Sequence, residues 1–167
     1  VSCNGGADGS VTVVRSGGAT PYTVSIDGVN YQTNPSFNGL SAGTYTLYIR
    51  DALGCEATSS FTITEPSAIV FGTPQTTNAS CGSADGAILV AATGGVGAIQ
   101  YRIGQGAYQS NGSFTGLTAG TYLITAKDAN NCTQTTAVTV EDNGGPAITI
   151  FNWTNISCYN GSDGTIT

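Results

Sequence analysis

An all-β fold, two packed antiparallel sheets repeated in tandem, is predicted by three features of the 167-residue chain. Apolar residues alternate with polar ones at period two, and helical spacing is scarcely found. Long motifs occur twice: Leu40-Ser41-Ala42-Gly43-Thr44-Tyr45, Asp51-Ala52 and Cys55 return as Leu117-Thr118-Ala119-Gly120-Thr121-Tyr122, Asp128-Ala129 and Cys132. The offset from Tyr45 to Tyr122 is 122 − 45 = 77 residues, a period that marks a repeat architecture. Each copy also carries two cysteines at nearly the same separation.

The strands follow in order. Val11 and Val13 alternate around Thr12 and match Ile88 and Val90; Ser2-Cys3, Asp8-Gly9 and Gly17-Gly18 match Ser80-Cys81, Asp85-Gly86 and Gly94-Gly95 around them. Tyr22, Val24 and Ile26 match Ile99, Tyr101 and Ile103, with Asp27-Gly28 placed as a hairpin turn where the second copy has Gly104-Gln105. Tyr45, Leu47 and Ile49 match Tyr122, Ile124 and Ala126, and Phe61 and Ile63 match Val138 and Val140. Each run reads as a half-buried strand with one apolar face. Ala68-Ile69-Val70-Phe71 and Ala147-Ile148-Thr149-Ile150-Phe151 add a strand after the breaks at Glu65-Pro66-Ser67 and Asn143-Gly144-Gly145-Pro146.

The boundaries therefore fall near 66 and 145. Residues 1–65 form a repeat without its first strand, 66–144 a complete repeat, and 145–167 the opening of a third, beginning again at Ser157-Cys158 and Asp163-Gly164. The chain reads as a window on a longer array. Short proline-containing linkers imply semi-rigid joints and an extended rod. In Leu-x-Ala-Gly-Thr-Tyr, a glycine turn leads into a tyrosine at the start of a late strand. That is the pattern of a tyrosine corner, with Tyr45 and Tyr122 as core pins, and it makes each unit an immunoglobulin-like β-sandwich of about seven strands.

Ten acidic groups stand against Arg15, Arg50, Arg102 and Lys127, a net charge of −6. Four scattered cations cannot neutralise a phosphate backbone or an anionic lipid surface, so nucleic acid and membrane binding are not expected. No stretch is long and apolar enough for a membrane-spanning helix. Histidine is absent, and with it the usual nucleophile–base pairs and the commonest transition-metal ligand.

By position Cys3 pairs with Cys55 and Cys81 with Cys132, one disulfide per repeat tied across one end of its sandwich, leaving Cys158 to a partner further on. Disulfides imply an oxidising, extracellular setting. Closing a loop of some 50 residues contributes about 4 kcal/mol on the chain-entropy model. Zinc needs three or four close ligands, which one Cys pair without His does not supply.

Ser2-Cys3-Asn4-Gly5 with Asp8-Gly9, Gly17-Gly18 with Pro21-Tyr22, Leu40 to Tyr45 and Asp51 to Cys55 together resemble the SprB repeat. The second copy departs at Ala98-Ile99 and at Asn130-Asn131. The resemblance implies a large surface adhesin of gliding Bacteroidota, secreted by the type IX system and held at the outer membrane. The repeats would be its stalk or filament, and the family carries no catalytic residues. Expected partners are neighbouring repeats, surface polysaccharide or outer-membrane anchoring machinery; the alternatives are a polymerising filament subunit that exchanges strands and a carbohydrate-binding repeat array.

The candidate ligand sites each carry two readings. Asp8 with Asp51, and Asp85 with Asp128, can offer hard oxygens to Ca²⁺ if a disulfide gathers each pair at one end; the same residues before Gly or Ala make Asx-turns. Glu65 and Glu141-Asp142 are positioned to bridge calcium at the joints. Tyr31-Gln32 and Tyr108-Gln109 can stack a glycan or pack over a loop. Asn78, Asn111, Asn131, Asn152, Asn155 and Asn160 open sequons, which an Asn/Ser/Thr-rich chain also yields by chance. A repeat of this size has little room for a sugar-cleaving cleft, so no enzyme is expected.

Overall fold

A computed structural model describes residues 1–145, and the expected third repeat, the strand at Ala147–Phe151 and Cys158 lie outside the described residues. Among the described residues thirteen strands form: β1 (Gly9–Thr12), β2 (Thr23–Ser25), β3 (Ser36–Leu40), β4 (Gly43–Arg50), β5 (Glu56–Ile63), β6 (Val70–Phe71), β7 (Gln75–Thr77), β8 (Gly86–Leu89), β9 (Ala92–Thr93), β10 (Gln100–Ile103), β11 (Ser113–Leu117), β12 (Gly120–Lys127) and β13 (Thr133–Val140). Strands β1–β5 pair only among themselves, and so do β6–β13, which divides the chain into two units.

The second unit shows the complete pattern. One sheet runs β11-β8-β7 and the other β10-β12-β13, all antiparallel. β6 pairs with β9, and Ala79, just after β7, meets Asp142, just after β13, in parallel register, linking the two sheets. A short extra pass pairs Gln109 with Tyr101. This is the two-sheet topology of an immunoglobulin-like sandwich. The first unit repeats it with β1-β3 and β2-β4-β5, and Gln32 pairs with Val24 as Gln109 does with Tyr101. It has no counterpart of β6 and β7: β8 is flanked on both sides, while β1 is paired only with β3.

The alternation has its expected consequence in burial. Ile88, Val90, Tyr101, Phe114, Ile124, Ala126, Val138 and Val140 build the core of the second unit, and Ile69 and Phe71 from the first strand pack against it. In the first unit Val13, Val24 and Leu40 are buried, but Leu47, Ile49, Phe61 and Ile63 remain partly open.

Two glycine motifs are required by close approach. A Cβ on Gly9 would lie 2.7 Å from the Leu40 carbonyl oxygen and 2.8 Å from Ile63 Cγ2, and on Gly86 2.7 Å from Val140 Cγ1 and 2.8 Å from the Leu117 oxygen. The second glycine of each Gly-Gly pair, Gly18 and Gly95, has φ +72° and +66° and sits 3.1 Å and 2.8 Å, measured from its would-be Cβ, from an Asp51 or Asp128 carboxylate oxygen. That conformation is open to glycine at no steric cost.

Candidate functional site: the cysteine turns and the joint

Each unit carries one cysteine turn at either end, and an aspartate builds each turn. Asp8 accepts the Ser2 N–H at 2.9 Å and Asp85 the Ser80 N–H at 2.8 Å, so the residue preceding Cys3 or Cys81 is fixed. Asp51 accepts N–H groups of Leu53 and Cys55 on one oxygen, both at 2.9 Å, and of Ala19 on the other at 3.1 Å. Asp128 repeats this with Asn130 and Cys132 at 2.9 Å and Val96 at 2.8 Å. The Gly-Gly pairs bring Ala19 and Val96 up to those carboxylates.

These hydrogen bonds stabilise the ionised form and hold several carboxyls below their ordinary value. The Asp8 carboxyl is lowered mainly by the Ser2 side chain, then its backbone; Asp85 by the Ser80 N–H; and Asp51 by the Ala19 N–H first. In the Asp27-Gly28 turn, Asn30 chiefly lowers Asp27, helped by Val29 and Ser25. Among the described residues no three or more acidic, Cys or His side chains gather where they could hold a metal. Glu65 accepts the Gly5 N–H at 2.6 Å and Asp142 the Gly144 N–H at 3.1 Å.

The ends at which these turns sit correct the disulfide expectation. β4 runs from Gly43, beside Ile63, to Arg50, beside Glu56, and at about 3.4 Å per residue it carries the chain roughly 24 Å. Cys3 lies at the Gly43 end, which we call the trailing end, near Glu65 and Pro66; Cys55 lies at the leading end, just beyond Arg50. Cysteines bridge only with Cα atoms within about 7 Å, so Cys3–Cys55 and, across β12, Cys81–Cys132 are out of reach. Asp8 and Asp51 are separated likewise, as are Asp85 and Asp128. The bond that forms is Cys3–Cys132, with Cα atoms 5.6 Å apart and a sequence separation of 129. Cys55 and Cys81 are free and exposed.

Cys3–Cys132 fastens the trailing end of the first unit to the leading end of the second. Asn130 Nδ2 donates to the Ser2 carbonyl at 2.9 Å, and Asn4 Nδ2 to the Pro66 carbonyl at 3.1 Å. Cys3, Asn4, Pro66, Ser67, Ala68, Ile69, Asp128 and Cys132 surround a crevice of about 180 Å³. The joint was missed in the sequence because Asn4 and Asn130 resemble ordinary turn residues.

The remaining candidates have local partners. Tyr45 and Tyr122 donate their hydroxyls to the carbonyls of Ser41 and Thr118, both at 2.9 Å, which is tyrosine-corner geometry. Tyr31 lies under the Arg50 guanidinium, 4.2 Å from the ring centre, and donates to Glu56 at 2.9 Å. Tyr108 lies between Arg102 and Lys127, at 4.9 and 4.2 Å. Gln32 and Gln109 tie their amides to loop carbonyls at Asn34, Ser36, Asn111 and Ser113.

A search of curated proteins finds no match to the chain. Among solved structures it is similar to the C-terminal 282-residue fragment of intimin, solved with the intimin-binding domain of the translocated intimin receptor. That similarity is 16% identity over 67% of this chain and 45% of that one, with a TM-score of 0.39; the chain thus spans less than half of the fragment. It is also similar to the amphioxus IgVJ-C2 molecule, at 13% identity over 84% of this chain and 99% of that one, with a TM-score of 0.35. The SprB repeat family model matches residues 1–30 and 73–107, the cysteine turn and the early strands of each unit, and stops before Leu-x-Ala-Gly-Thr-Tyr. These two matched segments support the resemblance to the SprB repeat family read from the sequence.

Proposed function

We propose that this chain is part of the stalk of a large secreted adhesin displayed on a bacterial cell surface. The observation that carries this reading is the joint, where the second sandwich continues end to end from the first and is fastened to it by Cys3–Cys132. Matched SprB repeats in both units support it. Its finer parts are outer-membrane attachment, export by the type IX system, and surface attachment during gliding of a Bacteroidota cell. The role is structural and non-enzymatic: units in series give reach, and the binding tip and anchor are separate parts.

One observation favours a second reading, a filament subunit that exchanges strands. The open flank of β1 continues into a groove lined by Val13, Val14, Leu47 and Ile49, where a strand could add. A repeated glycan-binding array is less well supported, because cations already cover the Tyr31 and Tyr108 rings.

The test is to remove whole repeats from the parent gene and follow surface display by antibody labelling and cell attachment to glass. The stalk reading expects undiminished display with attachment falling as the array shortens. Attachment independent of repeat number would overturn it.

A further inference from the structure

We infer that Cys81 and Cys55 are the two halves of further inter-unit staples: Cys81 bonds the leading-end cysteine of a following unit, and Cys55 the trailing-end cysteine of a preceding one. This rests on the fold and the joint, independently of the adhesin reading.

The argument is one of equivalence within the molecule. Cys3 and Cys81 occupy the same turn, held by Asp8–Ser2 and Asp85–Ser80. Cys55 and Cys132 share the other turn, each donating its N–H at 2.9 Å to Asp51 or Asp128. One member of each pair is bonded to the other across the joint, and the remaining members are the exposed thiols. The free pair lies at the outer ends of the two-unit body, leading for Cys55 and trailing for Cys81.

Both free turns carry further marks of a joint. The chain leaving the second unit passes over Cys81, a Cβ on Gly145 lying 3.1 Å from its Sγ, much as Pro66, Ser67 and Ala68 pass Cys3. On the Cys55 turn, Leu53 is 80% exposed, although the residue at its place in the second unit, Asn130, lies in the joint on the Ser2 carbonyl. The partner chemistry is therefore another unit of the same kind.

Bond formation needs an oxidant, and the one named is a disulfide of a thiol–disulfide exchange protein or oxidised glutathione. The Cys81 thiolate attacks one sulfur of that disulfide and expels the other as a thiolate. The partner cysteine's thiolate then displaces the bound sulfur, so two protein thiols become one disulfide and one donor disulfide becomes two thiols.

The test uses the full chain and a lengthened one carrying a second copy of residues 66–144 after Gly144, with exposed Ser83→Thr and Thr135→Ser marking the copy by mass. Both are oxidised with a glutathione pair, alkylated while folded, and digested without reduction for peptide mass mapping. In the full chain the expected result is alkylation at Cys55 and Cys81, with Cys3 and Cys132 protected and linked. In the lengthened chain Cys81 should become protected and linked to the marked copy's second cysteine, and Cys81→Ser should return that cysteine to the alkylated pool. Cys3–Cys55 or Cys81–Cys132 peptides, or a Cys81 still alkylated in the lengthened chain, would overturn the inference.

Discussion

The two units share one alternation and differ in how far it is buried. Ile124 and Ala126 are fully buried in the second unit, while Leu47 and Ile49 at the same places in the first are partly open. The difference traces to β6: Ile69 and Phe71 cover the second core, and the corresponding space over Val13, Leu47 and Ile49 in the first unit is a groove of about 280 Å³. One short edge strand thus decides whether an apolar face becomes a core.

The largest effect expected from this contrast is in truncation. Ile124→Ala should cost the second unit roughly 2–5 kcal/mol, the range for emptying a packed site, and Leu47→Ala no more than about half of that, since Leu47 already meets solvent. Denaturant unfolding followed through amide signals of each unit checks this; equal losses would mean the groove is not a defect in packing. Next in size is repair of the first unit. The Val1 ammonium donates to the Thr64 carbonyl at 2.7 Å, just as the Ala79 N–H donates to Glu141 at 2.9 Å, so the chain already holds the position from which a preceding strand would run. Placing a copy of residues 66–78 before Val1 should stabilise the first unit by about 2 kcal/mol after ordering costs, slowing hydrogen exchange in β4 and β5 about 30-fold.

Acid separates the units more gently. The folded carboxyls of Asp8, Asp27, Asp51 and Glu56 in the first unit, and of Asp85 in the second, are depressed below their ordinary values. A depressed group stabilises above its unfolded value and loses that contribution as pH falls through the folded one. Thermal unfolding should therefore be insensitive to these groups from neutral pH down to about 5, then fall, and fall further for the first unit, which holds four of the five. A steeper loss in the second unit would contradict the assignment. The smallest expected change is Glu56→Gln. The Arg50–Glu56 pair at 2.8 Å is 46% and 35% exposed, and an exposed pair contributes little. Melting temperature should barely move, matching the second unit, where Thr133 stands in place of Glu56.

Much of this was legible from residues alone. Tyr45 and Tyr122 and the phase of the strands read from alternation, such as Tyr22 to Ile26 with Ile99 to Ile103, follow from the residues, because side-chain direction along a strand is fixed by period two; β3, β7, β9 and β11 carried no such signal. The cysteine pairing was not legible, because sequence separation says how far apart residues are along the chain and nothing of which end they reach. From Cys3 to Cys55 the chain crosses the sandwich five times, through β1, β2, the Gln32 pass, β3 and β4. An odd number of crossings ends opposite to where it began, so counting strands would have excluded the intra-unit bond. The aspartates misled in the same way: their calcium reading assumed neighbours that β4 and β12 keep apart. The Asx-turn alternative needed only local hydrogen bonds, which are the ones present.

The Cys3–Cys132 bond also sets the path along which tension travels. A chain pulled by Val1 and Gly145 carries load from Val1 to Cys3, across the sulfurs, and out from Cys132 through β13, so the first sandwich and the rest of the second hang beside the loaded line. The stretch of chain between the cysteines, a sequence separation of 129, contributes no length until the bond is reduced. In single-molecule pulling, a reductant should release roughly 430–460 Å of added contour in the unfolded chain. The oxidised chain should show almost none of it. Such a tether meets a sudden pull as an inextensible link, and a change of redox state converts the same polypeptide into a shock absorber.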